Sequence, residues 1–315
     1  MREKIYDLNR KMRILVTSRV LFNNWLSAGV KYYLTTFFPR RAVPVRCNNQ
    51  KYVLSAGTYA SIVTAYYDYL YEKLICKEVI IIQIGLNYFI KLKNNDLEFI
   101  YKGRKIYLYD SADFLRDIIF ENFIGGAYDD IIVDNKTVVD VGAGVGDTSI
   151  LFALKGAKRI IALEPFFNLF KKAMINVKIN NLENKILLLN AALGSSDDIV
   201  CAEFGDVLKY HVFKPSNRCN KKVAVYTLNT LVNKFNIEEG SILKMDCEGC
   251  EYETILNMQP SDLAKFDQII IEYHNGYIEL RKILELAGFE TTLKPIRSIK
   301  VPIEKQGYIV AKRKI

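Results

Sequence analysis

Two hydrophobic periods divide this chain. Between residues 11 and 38, apolar Ile14, Leu21, Phe22, Trp25, Val30, Tyr33, Leu34 and Phe37 recur at three- and four-residue spacing. That spacing predicts an amphipathic helix stopped by Pro39, with Arg40-Arg41-Ala-Val-Pro44 as a linker. A second helix is expected over 55–76, where Tyr59, Tyr66, Tyr67, Tyr69 and Tyr71 form an aromatic stripe of the kind that packs a core. The period then shortens. Val79–Ile84, Tyr88–Leu92, Leu97–Tyr101 and Lys105–Tyr109 are β-branched or aromatic runs separated by Gly85, Asn94-Asn95 and Lys102-Gly103, which predicts a small antiparallel sheet. Asp113–Phe123 reads as a helix ending near Gly125-Gly126.

From Lys136 short apolar runs alternate with helical stretches. The expected strands are Thr137–Val141, Arg159–Leu163, Ile186–Asn190, Ile242–Asp246 and Gln268–Tyr273. Between them lie helices at Thr148–Lys155, Leu169–Asn180, Glu251–Asn257 and Tyr277–Ala287, and an irregular insert at Ser195–Tyr226. Near-continuous apolar strands are buried on both faces, so the pattern argues a doubly wound, mostly parallel α/β sheet. Phe289–Leu293 and Tyr308–Ala311 are expected as an antiparallel hairpin on one edge. The resulting division is a basic amphipathic arm (1–46), a helical and β-hairpin extension (47–125) and an α/β domain (126–315).

Composition refines this. The 315 residues are 50% hydrophobic and 25% charged, enough for a large buried core and outside the range of disordered or disulfide-stapled chains. The net charge of +9 is concentrated: residues 1–46 hold ten basic and two acidic side chains, a balance of +8. The longest uncharged run, Tyr52–Tyr67, has 16 residues, short of the ~20 that a bilayer crossing needs. No signal-peptide layout is visible, and six scattered cysteines suit reduced thiols, so a cytoplasmic location is expected. Cys247-Glu-Gly-Cys250 has C-x-x-C spacing, but no second pair completes a zinc set, and buried or half-buried thiols are the expectation.

The strongest motif is Val138-Val-Asp-Val-Gly-Ala-Gly-Val-Gly-Asp-Thr-Ser149, a strand, a glycine loop and a helix start. Glycine lets the backbone approach a ligand closely. A dinucleotide site would place a third glycine at 147 for its pyrophosphate, but Asp147 stands there. Acids on both flanks, Asp140 and Asp147, favour a ligand with positive charge, namely the sulfonium and ammonium of S-adenosylmethionine. Gly142, Ala143, Gly144 and Gly146 would line it. Glu164, at the end of the next strand in Ala162-Leu-Glu-Pro165, would accept the ribose hydroxyls, and Asn190 with Ala191 would meet the adenine.

These stretches, with Asn190-Ala-Ala-Leu-Gly194, Tyr226-Thr-Leu-Asn-Thr-Leu231, Leu243-Lys-Met-Asp-Cys-Glu-Gly-Cys-Glu251 and Ile271-Glu-Tyr-His274, resemble the FkbM-type methyltransferases over residues 100–295. The K-x-D-x-E-G-x-E element is the most specific of them; Asn229 departs from the usual Asp of T-L-D-x-L. The resemblance implies a class I S-adenosylmethionine-dependent methyltransferase fold, Rossmann-like with a mostly parallel seven-stranded sheet and an antiparallel C-terminal edge. For many members it also implies O-methylation of sugars or secondary metabolites.

Methyl transfer to oxygen needs in-line approach and a group that takes the hydroxyl proton. Asp246 ends one strand and His274 another, with Glu272 two residues earlier on the same side. His274 is the expected general base, since its ordinary pKa lies closest to neutrality. Asp246 and Glu248 would orient the acceptor hydroxyl or touch the cofactor, and Glu251 would do so or cap the next helix. Their carboxylates are compatible with a divalent cation, but no metal is predicted. In the insert, Lys209, His211, Lys214, Arg218, Lys221 and Lys222 are read either as a basic lid over an anionic acceptor or as an ordinary solvated loop.

The expected partner is a small-molecule or glycan acceptor. A nucleic-acid methyltransferase is the main alternative because of the basic arm, but the chain lacks [DN]-P-P-[YFW] and a Pro-Cys nucleophile. An NAD-dependent oxidoreductase is disfavoured by Asp147, and a non-enzymatic binding module by the intact loop. The arm, with Trp25 among Leu21, Phe22 and Leu26, is read either as packing on the protein or as resting on anionic lipid.

Overall fold

The computed structural model describes residues 2–35, 42–201, 222–296 and 302–314, with side chains from residue 12 onward except that of Cys201. Phe37, the helix stop at Pro39, the linker arginines 40 and 41, and the insert's Lys209, His211, Lys214, Arg218 and Lys221 lie outside the described residues. The chain forms two compact units, Met1–Gly125 and Gly126–Ile315.

The first unit begins with α1 (Arg2–Leu21) and α2 (Trp25–Thr35), not the single helix expected. The break falls at Asn23-Asn24, whose polar groups bond a neighbouring strand. The Asn23 N–H donates to the Arg46 carbonyl at 2.7 Å, Asn24 Oδ1 accepts the Arg46 N–H at 2.6 Å, and Asn24 Nδ2 donates to the Pro44 carbonyl. Asparagine offers the backbone an alternative to the helix, and here the alternative wins. Arg46 and Pro44 belong to β1 (Val43–Cys47), which pairs antiparallel with β2 (Gln50–Leu54). Helix α3 (Ala56–Tyr67) starts at the Ser55 cap, whose hydroxyl accepts the Thr58 N–H at 3.0 Å.

The second expected helix stops nine residues early, at Tyr67. Tyr69 takes a positive φ of 58°, and Lys73–Cys76 becomes β3, paired with β4 (Ile80–Ile84). Of the tyrosine stripe, Tyr59 and Tyr71 are buried while Tyr67 and Tyr69 are exposed. A five-stranded antiparallel sheet continues through β5 (Tyr88–Lys93), β6 (Asp96–Tyr101) and β7 (Arg104–Leu108). A short 3-10 turn (Ala112–Phe114) and a wide π-helical segment (Arg116–Phe123) close the unit where an ordinary helix was expected.

The second unit contains β8 (Thr137–Val141), α4 (Asp147–Leu154), β9 (Arg159–Leu163), α5 (Phe167–Ile179) and β10 (Ile186–Leu189). Then follow β11 (Ala191–Leu193), β12 (Asp198–Cys201), β13 (Lys222–Tyr226), α6 (Leu228–Lys234), β14 (Ser241–Met245) and α7 (Cys250–Asn257). The last elements are β15 (Phe266–Tyr273), α8 (Ile278–Leu286), β16 (Phe289–Lys294) and β17 (Gly307–Arg313). Seven strands make the main sheet in the order β10-β9-β8-β14-β15-β17-β16. All pairs are parallel except those of β17, which runs antiparallel to β15 and β16. This is the class I methyltransferase topology. Every residue of β8 and β14 is buried, which explains their unbroken apolar runs. The insert flanks are regular: β11, β13 and β12 form a separate three-stranded sheet.

The chain order reverses beside β8, with β9 on one side and β14 on the other, so the carboxyl ends of these strands open at a topological switch point. Val139, Val141, Leu243 and Met245 face one core cluster. The alternating positions Asp140 and Lys244 face the other side, and the register places them opposite each other.

Candidate functional site

The glycine loop follows β8 and ends where α4 begins. Gly142, Gly144 and Gly146 all have positive φ, at 78°, 54° and 85°. They serve different ends. A Cβ on Gly142 would lie 1.8 Å from the Asp246 carbonyl oxygen, and one on Gly146 would lie 3.2 Å from Ala173. Those two allow close packing behind the loop. A Cβ on Gly144 would meet nothing within 4 Å, so this residue leaves open the space a ligand would fill. The loop is tied down by N–H bonds from Gly142 and Ala143 to the Leu163 carbonyl, both at 3.0 Å, and by Asn176 Nδ2 on the Val145 carbonyl at 2.9 Å.

Glu164 follows β9 and faces this loop. One carboxylate oxygen accepts the Gly144 N–H and the other the Phe166 N–H, each at 2.8 Å. Burial raises its pKa to about 8, against the opposing pull of those two N–H groups. In its ionised form each oxygen retains a lone pair for a hydroxyl donor. Asn190 clips the same corner, its amide donating to the Glu164 and Pro165 carbonyls at 2.9 and 3.0 Å. Asp147 is the first residue of α4, and Ala143 and Ala191 are buried, offering a ligand backbone only. Open space at Gly144, beside the Glu164 carboxylate, fits an adenosyl ligand.

Asp140 does not touch that space. It is fully buried, paired with Lys244 Nζ at 2.9 Å, and it accepts from Thr148 Oγ1 at 2.7 Å and Ser149 Oγ at 2.6 Å. The expectation of direct cofactor contact gives way to a supporting role: Asp140 locks the loop to the start of α4. Lys244 completes the lock, donating to the Gly142 carbonyl at 2.8 Å. Burial pulls the Lys244 pKa down, but Asp140 and Asp246 outweigh it and keep the ammonium charged. Sequence reasoning assigned no role to Lys244, although it is the first letter of K-x-D-x-E-G-x-E.

At the ends of β14 and β15 acids converge on one histidine. His274 Nε2 lies 3.5 Å from Glu272 and 3.6 Å from Glu248, and Nδ1 lies 3.9 Å from Glu251. Glu251 caps α7, accepting the Cys247 and Gly249 N–H groups at 2.7 Å each, so the capping reading holds. Burial lowers the His274 pKa, yet Glu272, Asp246 and Glu248 overcome it and lift the imidazole to about 10. These acids favour the imidazolium, the form of His274 that donates a proton and does not accept one. Burial and then Asp246 lift Glu272 to about 7, and burial also raises Glu248. A group near neutrality is thus present, but it is a carboxylate. Tyr128, in a stretch without a motif, lies beneath this cluster; burial and the charges of Asp246 and Glu272 hold its hydroxyl far above the ordinary range. Asp246, Glu248 and His274 each bring one donor atom within 4.8 Å of the others, a spacing compatible with a divalent cation.

The thiol expectation is overturned among the described residues. Cys47 is bonded to Cys76 and Cys247 to Cys250, because β1 meets β3 in the first unit and the turn before α7 brings the second pair together.

Residues 140–291 match the family model for the methyltransferase FkbM domain. A protein arginine N-methyltransferase 6 of Xenopus tropicalis is 36% identical over 90 residues, 27% of this chain and 26% of that protein. The chain thus spans about a quarter of that curated relative. The crystal structure of methyltransferase FkbM from Methylobacillus flagellatus KT is similar at a TM-score of 0.40 and 15% identity, over 56% of this chain and 44% of that one. Fibrillarin of Aeropyrum pernix with bound S-adenosyl-L-methionine gives 0.41 and 11%, over 76% and 99%. On the matched segment and the strand order, residues 140–291 form a methyltransferase domain of the S-adenosylmethionine-dependent class that matches the FkbM model.

Proposed function

We propose that this protein methylates a hydroxyl oxygen of a sugar, glycan or secondary metabolite. The observation that carries the reading is the convergence of Asp246, Glu248, Glu272 and His274 beside a glycine loop with open space at Gly144. S-adenosylmethionine, when bound, supplies an electrophilic methyl group. Glu164 would hold the ribose hydroxyls, the Gly142–Gly146 backbone would floor the site, and Asn190 would shape the adenine end. Glu248, more exposed than Glu251 and Glu272, takes the acceptor's hydroxyl proton. Asp246 orients that hydroxyl. His274 is a positioning residue: its imidazolium lies between Glu248 and Glu272 and holds Glu248 toward the acceptor.

The surplus of carboxylates favours a second reading, a cationic nitrogen acceptor such as an amine or guanidinium, the group named in the arginine N-methyltransferase that matches part of the chain. Incubation of the full chain with methyl-labelled cofactor and cell extract, followed by mass spectrometry of the labelled products, separates the two. O-methylated products support the first reading, N-methylated products the second, and no labelled product from any extract sinks both.

The location we propose is an anionic lipid surface. No described helix is long and apolar enough to cross a membrane. Helices α1 and α2 bury Ile14, Leu21 and Ala28, and Phe22 between them is buried too, which supports the packing reading for that face. Each also exposes a second apolar row, Met12, Val16 and Val20 on α1 and Leu26, Val30 and Leu34 on α2. Exposed Arg13, Arg19 and Lys31 accompany them within a segment of net charge +8. Apolar rows among basic side chains suit an anionic leaflet. The cytoplasmic expectation now rests on this charge argument and no longer on the cysteines.

A further inference from the structure

The loop between β14 and α7 carries a second chemistry. The Cys247–Cys250 disulfide closes a ring over Glu248 and Gly249. Both cysteines are half-buried and open to a small reagent, whereas Cys47 and Cys76 are 5% and 7% exposed. Within K-x-D-x-E-G-x-E the two cysteines fill variable positions, so they belong to this chain and not to the motif. We propose that Cys247–Cys250 is a reducible disulfide whose exchange with a dithiol sets the position of the glycine loop; the consequence for cofactor binding rests on the methyltransferase reading.

The coupling is direct contact. The Asp246 carbonyl and the Cys247 Cα back Gly142 so closely that a Cβ there would lie 1.8 and 3.1 Å from them. The Asp246 N–H donates to the Val141 carbonyl at 3.1 Å. Inside the ring, Glu248 and Gly249 take successive positive φ values of 58° and 122°. For a non-glycine residue that backbone is strained and persists because its surroundings hold it. In the exchange, a thiolate of the dithiol attacks one sulfur, the S–S bond breaks, and the other cysteine leaves as thiolate. The reagent's second thiol then displaces the bound cysteine. Two electrons and two protons pass to Cys247 and Cys250, and the reagent departs as its own disulfide. With the ring open, Glu248 is free to leave the left-handed region, and the Asp246–Cys247 backbone that backs Gly142 loosens.

The test uses the full chain, oxidised and after graded dithiothreitol, with three readouts: alkylation mapped by mass spectrometry, hydrogen exchange, and titration with S-adenosylhomocysteine. Alkylation is expected at Cys247 and Cys250 before Cys47 and Cys76, with faster exchange over residues 141–147 and an affinity lowered about fivefold or more. C247S/C250S should reproduce the reduced state and ignore dithiothreitol. Alkylation of Cys47 and Cys76 first, or exchange over 141–147 that does not respond to reduction, overturns the proposal. If exchange responds while neither state binds S-adenosylhomocysteine, the disulfide site stands and the methyltransferase reading falls.

Discussion

Asp140 and Lys244 face each other across β8 and β14, both buried from water and 2.9 Å apart. Removing one partner leaves an uncompensated charge in the sheet, so Asp140→Ala should lower unfolding free energy by about 3–5 kcal/mol in a denaturant titration. D140A/K244M should recover part of that loss, because the stranded charge goes with its partner. Glu164 gives a pH signature of definite sign. Its carboxyl is raised from the ordinary 4.5 to about 8 in the folded chain, so the folded state holds the proton longer than the unfolded state. Its contribution to stability is full below about pH 4.5 and is lost as pH rises through about 8. Glu164→Gln should flatten the fall in thermal midpoint across that window. These residues show where sequence reasoning stops. Asp140, Glu164 and His274 were found from their positions at strand ends, but their states were not. The strand register that pairs Lys244 with Asp140, and the Asp246 and Glu248 that join neighbouring Glu272 in charging His274, come from segments more than 20 residues apart in sequence.

Among the elements, the glycine loop separates packing from binding. Gly142→Ala would drive a Cβ into the Asp246 backbone, whereas Gly144→Ala would place one in open space. Both should lose S-adenosylhomocysteine affinity by tenfold or more in a titration. Only Gly142→Ala should also lower the thermal midpoint by many degrees, since Gly144→Ala costs only the roughly 1–2 kcal/mol of a left-handed residue. The β8 to β10 alternation and the β14–β15 pair were legible because strands covered on both faces write unbroken apolar runs. The division of α1 from α2 and the conversion of 73–76 into β3 were not. Both depend on partners elsewhere, the Asn24 bonds to β1 and the pairing of β3 with β4. Local periodicity carries no trace of either.

For the molecule as a whole, charge and chemistry occupy different segments. Residues 1–46 carry +8 of the net +9, while the matched methyltransferase segment begins at residue 140. Flotation with phosphatidylserine vesicles should recover the full chain at low salt and progressively less as salt rises, at about 1 kcal/mol of attraction per basic residue near the surface. Val16→Glu with Val30→Glu should abolish recovery without altering S-adenosylhomocysteine affinity; equal flotation of variant and wild type would remove lipid from the account. The most direct test of the central claim is calorimetric titration of the full chain with S-adenosylhomocysteine, in parallel with NADH. The account predicts saturable one-site binding of S-adenosylhomocysteine that Glu164→Ala weakens by at least tenfold, and no heat from NADH. Binding of NADH alone, or S-adenosylhomocysteine affinity unchanged by Glu164→Ala, would contradict it.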